Sequence, residues 1–172
     1  MLAAGWPLSR VVSLRAYPSG TARYHLLCHE LGDHTAGTVL DVGSRSDTFT
    51  ALSGRPCELL DKNNPELATF DWDRAPLPYA DGSFDTVICL DTLEHLEDPY
   101  RALDDLFRVS RRAVIVSLPN CWRRSVLEFL GGRGREPSYG LPLEPPRDRH
   151  RWFFNPTDAF AFLLYRRSEE HT

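Results

Sequence analysis

Asp41, Gly43, Asp61, Asp73 and Asp91 fall at or just beyond the ends of apolar runs, and His95 follows the last of them by four positions. A glycine that turns the chain beneath a phosphate or sugar, followed roughly twenty residues later by a carboxylate, suits a ribose diol, whose hydroxyls donate to that carboxylate. Asp61 lies 18 residues after Gly43 and fits this role. Asp73, in a later loop, can accept a hydrogen bond from an adenine amino group. His95 is the histidine nearest this set and the candidate general base. His25 and His29, four apart, could share a metal on one helix face, although a plain solvated face explains the same spacing.

These groups need a scaffold that brings strand ends together. Residues 20–31 carry apolar side chains at helical spacing and stop at Gly32, a C-terminal cap candidate. Strands are expected over 38–42, 57–60, 84–90 and 113–118, with a weaker one over 67–71 and a short helix over 48–53. Pro99 can open a helix that places Leu103, Leu106 and Phe107 on one face. Residues 131–149 read as a Gly, Pro and Arg-rich loop, and 156–165 as an aromatic helix. Near-continuous apolar strands alternating with helices predict a doubly wound α/β fold, its mainly parallel sheet covered on both faces. In such sheets ligands bind at the carboxyl ends of the strands.

Composition narrows the classes. With 172 residues, 42% of them hydrophobic, the chain has the size of one domain, residues 1–172. No apolar run approaches the roughly 20 residues of a membrane span, and the N-terminus lacks the pattern of a secretory signal, so a cytoplasmic protein with no membrane partner is expected. Cys28, Cys57, Cys89 and Cys121 form no CxxC pair and read as reduced, packed thiols. Charge is uneven: residues 41–107 hold 15 acidic and 5 basic side chains, whereas 108–151 hold 4 acidic and 10 basic ones, all arginine. Arginine suits oxyanions, but a solvated surface balancing the acidic half is the simpler expectation, and a nucleic-acid partner is not favoured.

The segment Leu77-Pro-Tyr-Ala-Asp-Gly-Ser-Phe-Asp-Thr-Val-Ile-Cys-Leu-Asp-Thr-Leu-Glu-His-Leu-Glu-Asp-Pro, with Val114-Ile-Val-Ser-Leu-Pro-Asn, resembles class I S-adenosylmethionine-dependent methyltransferases, type 11. The resemblance covers about residues 36–120. Ser117-Leu-Pro-Asn, the later Gly131-Gly-Arg and Trp152-Phe-Phe-Asn-Pro look most like its MetW group. It implies S-adenosylmethionine as cofactor, a small-molecule methyl acceptor and strand order 3-2-1-4-5. Asp41 and Gly43 would form the cofactor turn, Asp61 would hold the ribose, Asp73 would face the adenine, and Leu90 and Asp91 would flank the methionine part. Asp91, Glu94 and His95 also resemble the divalent-metal cluster of ubiquinone-pathway O-methyltransferases.

Two departures from the family pattern stand out. Arg45 and Asp47 occupy positions where glycines are usual, and a side chain there fills space that a ligand would approach. After the helix over 156–165 only Arg166-Arg-Ser-Glu-Glu-His-Thr follows, so the usual sixth and seventh strands are expected to be missing. The fifth strand is therefore expected at an exposed edge, to be covered by the aromatic segment or paired in a homodimer. These departures support an alternative: a methyltransferase-fold protein without catalysis, acting as a binding or accessory partner.

Overall fold

The computed structural model describes residues 19–44, 46–61, 71–131 and 150–168. Four strands form one parallel sheet: β1 (Val39–Val42), β2 (Cys57–Leu60), β3 (Phe84–Leu90) and β4 (Ser110–Ser117), in the order β2-β1-β3-β4. Helices α1 (Gly20–Leu31), α2 (Thr48–Ser53), α3 (Pro99–Val109), α4 (Cys121–Leu130) and α5 (Pro156–Ser168) flank it.

The period-2 alternation of the strands sorts their side chains into two layers. Val39, Ile88 and Leu90 pack with Tyr24 and Leu27 of α1 and Phe49 of α2. Leu40, Val42, Val87 and Cys89 pack with Leu103 and Leu106 of α3 and with Phe154 and Phe162. Each central strand is thus buried on both sides, which is why β1 reads as an unbroken buried run. Asp85 pins the two central strands at their start, its Oδ2 accepting from the Thr38 amide at 2.9 Å and the Thr38 hydroxyl at 3.0 Å. Gly37 makes room for it, since a Cβ there would meet Asp85 Oδ2 at 2.2 Å.

Several boundaries differ from expectation. Gly32 has φ −54 and ψ −34, a right-handed conformation, so the chain tightens into a 3-10 turn over Gly32–Thr35 instead of reversing at a left-handed cap. β4 begins at Ser110, three residues early, because Ser110 pairs with Phe84 through a register shift. α4 has no counterpart in the sequence reading: Cys121 and Ser125 are buried, whereas the larger Trp122, Val126 and Leu130 face outward. The strand expected over 67–71 and the loop over 131–149 lie outside the described residues except for Asp71 and Gly131. The four described strands keep the relative order of their expected counterparts, with β4 at the sheet edge.

Candidate active site

Register aligns the strand ends. Val42 lies opposite Leu60 and Cys89, and Leu90 opposite Ser117, so Gly43, Asp61, Asp91 and Ser117 line one carboxyl edge of the sheet. Gly43 donates its amide to the Leu60 carbonyl at 2.7 Å, holding the turn against β2. Its φ of +83 is left-handed, and an added Cβ would fall 2.2 Å from Thr92 Oγ1. Glycine is required here twice over, for backbone conformation and for the Thr92 side chain packed upon it.

Asp41 is fully buried on β1. Its Oδ2 accepts from the Tyr24 hydroxyl at 2.8 Å, and Ser44 Oγ lies 3.0 Å from that same hydroxyl. Ser44 also donates to the Ser46 carbonyl at 2.6 Å. Asp41 Oδ1 is buried with no hydrogen-bond partner among the described residues. Burial pushes the Asp41 carboxyl from its ordinary 3.8 up to about 6, although Tyr24, Ser44 and Arg23 each favour its anion. Burial and the neighbouring Asp41 charge push the Tyr24 phenol upward in turn.

Leu90 ends β3 as a buried residue, and Asp91 follows with φ +48, a left-handed conformation rare outside glycine. That turn is over-determined. The Asp91 amide donates to the Ser117 carbonyl at 3.1 Å, Ser117 Oγ donates to Asp91 Oδ1 at 2.6 Å, and Arg23 Nη1 donates to Asp91 Oδ2 at 2.6 Å. Asp61 sits half-buried immediately after β2.

Asp73 belongs to a loop anchored on α3. Its Oδ1 accepts from the Glu97 amide at 2.6 Å. Behind it, Asp105 accepts from Trp72 Nε1 at 3.2 Å and from the Leu77 amide, while Arg108 reaches Asp105 Oδ1 at 2.7 Å, the Leu77 carbonyl at 2.9 Å and the Tyr79 carbonyl at 2.7 Å. A buried carboxylate and one guanidinium therefore fix the loop that carries Asp73.

Glu94 and His95 form a 3-10 turn, Leu93–His95, beyond Asp91. Glu94 is wholly buried, and His95 Nε2 lies 3.9 Å from Glu94 Oε1. Asp91 is not part of this group; His150 is, its ring 4.8 Å from that of His95. His25 and His29 do not converge with them: both are exposed, and His29 pairs with Glu30 at 3.0 Å.

Sequence reasoning named the strand-end residues but not Arg23, Tyr24, Ser44, Thr92, Ser117 or His150. Tyr24 and Arg23 lie on a helix whose apolar spacing was its only signal, and nothing local indicates that both turn toward the sheet edge. Arg45 lies outside the described residues. Asp47 is exposed, just before α2.

No curated protein sequence matches the chain. Among solved structures, a SAM-dependent methyltransferase of Thermotoga maritima, described as a possible histamine N-methyltransferase, superposes with a TM-score of 0.53 at 16% identity, over 83% of this chain and 69% of its own. A SAM-dependent methyltransferase of Aquifex aeolicus gives 0.41 at 17% identity, over 63% of this chain and 78% of its own. The first of these shows the shared fold. The family model described as "Methyltransferase domain" matches residues 19–117, from the start of α1 to the end of β4, and the chain belongs to that family of S-adenosylmethionine-dependent methyltransferases.

Proposed function

We propose that the chain methylates a small-molecule acceptor at the carboxyl edge where β1 and β3 end. The observation that carries this reading is Asp41: a fully buried carboxylate with one oxygen held by Tyr24 and the other without a described partner, beside a turn that only glycine can make. A buried carboxylate oxygen left open is costly and suits a ligand that brings its own donors. Asp41 and Gly43 would hold the turn side of S-adenosylmethionine, Asp61 the ribose hydroxyls, Asp73 the adenine, and Leu90 and Asp91 the methionine part. The cofactor supplies an electrophilic methyl on a sulfonium centre. The protein's work is then to align an acceptor and exclude water, with His95 as the candidate to take a proton from an acceptor that enters protonated.

Arg108, Arg111 and Arg151 support a small acceptor over nucleic acid, since they are paired with Asp81 and Asp105, Asp85, and Glu97, respectively. Isothermal calorimetry of dialysed protein tests the reading. S-adenosylmethionine should bind with micromolar affinity, and Asp61→Ala should weaken it at least about tenfold, the loss expected for a charged hydrogen-bond acceptor. Absence of heat at high concentration refutes it.

One observation favours a second reading, a binding or accessory protein without catalysis: both oxygens of Asp91 are already engaged, by Ser117 and Arg23. It predicts that S-adenosylmethionine binds weakly or not at all and that no acceptor class is turned over.

A further inference from the structure

We propose that Glu94, His95 and His150 form a binding site for a divalent transition-metal ion of the zinc class. Their ligand atoms, one carboxylate oxygen and two imidazole nitrogens, all lie within 4.8 Å of one another, and the Glu94–His95 pair is at 3.9 Å. Bonds of about 2.05 Å in a tetrahedral ion place neighbouring ligand atoms about 3.3 Å apart. The shorter pair therefore needs to close by about 0.6 Å and the widest by at most about 1.5 Å on metal binding. Two imidazoles and one carboxylate form a donor set suited to zinc and its neighbours, whereas magnesium and calcium select all-oxygen sites. Three protein ligands also leave a coordination position open.

A second observation concerns how His150 arrives. It belongs to a segment 55 residues further along the chain from His95, yet that segment is fastened to the 3-10 turn on several sides. The Arg151 and Trp152 amides both donate to the Glu94 carbonyl, at 2.7 and 3.4 Å. Trp152 Nε1 donates to the Leu96 carbonyl at 2.8 Å, and Arg151 pairs with Glu97 at 2.7 Å. These bonds, backbone and side-chain together, fasten the chain next to His150 against the turn that carries Glu94 and His95, so the approach of the two segments is set by contacts outside the ligand atoms. Glu94 is fully buried, and a buried carboxylate is stabilised by positive charge brought to it. With an ion bound, His95 is a ligand and cannot also accept a proton, so its two roles exclude one another.

The site does not depend on the methyl-transfer reading, and its test omits S-adenosylmethionine. Chelator-stripped protein is titrated with Zn2+ against a chromophoric chelator, and with Co2+ while its visible absorption is followed. One ion per chain is expected, with a Co2+ spectrum of low-symmetry coordination. His150→Gln should weaken Zn2+ at least about 100-fold, the upper end of what loss of a mere supporting group costs, while His150→Asp, which keeps a ligand, should restore most of it. His25→Gln with His29→Gln should change nothing. No saturable binding, or unchanged affinity and spectrum in His150→Gln, overturns the site. Should His150→Gln fail to fold, the unmodified protein decides: the imidazole NMR signals of His95 and His150 shift together with the first equivalent of Zn2+, or the proposal is wrong. Calorimetry with S-adenosylmethionine on the same preparation fails or succeeds separately.

Discussion

Replacing Asp41 with asparagine isolates the energetic consequence of burying a carboxylate at the end of β1. Burial raises its carboxyl from 3.8 to about 6 in the folded protein. Between those values the native state binds the proton more tightly than the unfolded chain does, so stability is greatest below 3.8 and is lost as pH rises through about 6. The full gap corresponds to about 3 kcal/mol at neutral pH, and integrating the two titrations puts about 2 kcal/mol of it between pH 4.5 and 7. The introduced carboxamide would preserve shape and can still accept from the Tyr24 hydroxyl, but it does not titrate. Urea unfolding of both proteins at a series of pH values gives the difference in stability, from which the other ionisable groups cancel. That difference should move by about 2 kcal/mol in favour of Asp41→Asn as pH rises from 4.5 to 7. Parallel curves, within about 0.5 kcal/mol, would mean that the carboxylate is fully compensated in the fold. A change of the opposite sign would mean that it is stabilised as an anion. Either result removes the argument that Asp41 is held ready for a ligand.

Gly43→Ala should destabilise the protein by about 3 kcal/mol, combining left-handed backbone strain with the overlap on Thr92; adding Thr92→Gly should recover only the overlap, as read from urea midpoints. Arg108→Met should cost about 3 kcal/mol by leaving the buried Asp105 carboxylate without its cation, and should alter the fluorescence of Trp72, whose indole bonds to the same carboxylate. Burial pushes the Cys57 thiol up to about 12 and the Cys89 thiol well above its usual range, so both should resist a thiol reagent at pH 8 until denaturant is added. Rapid labelling of Cys89 in the native protein would contradict its placement in the core.

What could be read from the sequence followed the physics of each element. β2, β3, α1 and α2 coincide with their expected spans because short apolar runs and helical spacing, bounded by Gly, Pro and Asp, mark them in local composition. α4 escaped because its described buried face is made of small residues, Cys121 and Ser125, so the large apolar side chains mark the wrong side. The placement of Gly43, Asp61 and Asp91 along one carboxyl edge of the sheet was legible because the apolar runs stop there. The site was illegible where partners meet from afar: Arg23 and Asp91 are 68 positions apart, and Tyr24 and Asp41 are joined through the tilt of a helix on a sheet. His150 could not be assigned at all, since it lies 55 residues from His95 and reaches it through the Arg151 and Trp152 amides on the Glu94 carbonyl, the Trp152 indole on the Leu96 carbonyl and the Arg151–Glu97 pair.

The strand order has a consequence for how this chain is made. β1 lies between β2 and β3, and its first contact with β3, Thr38 to Asp85, spans 47 residues. On a ribosome β1 and β2 emerge first and can pair across α2, but one flank of β1 keeps its amides and carbonyls unpaired until β3 has been synthesised. Non-local pairing of this kind slows folding and exposes a strand edge to other chains. The first 61 residues alone should therefore be prone to association, and that tendency should fall only when β4 has followed β3 and paired with its outer flank.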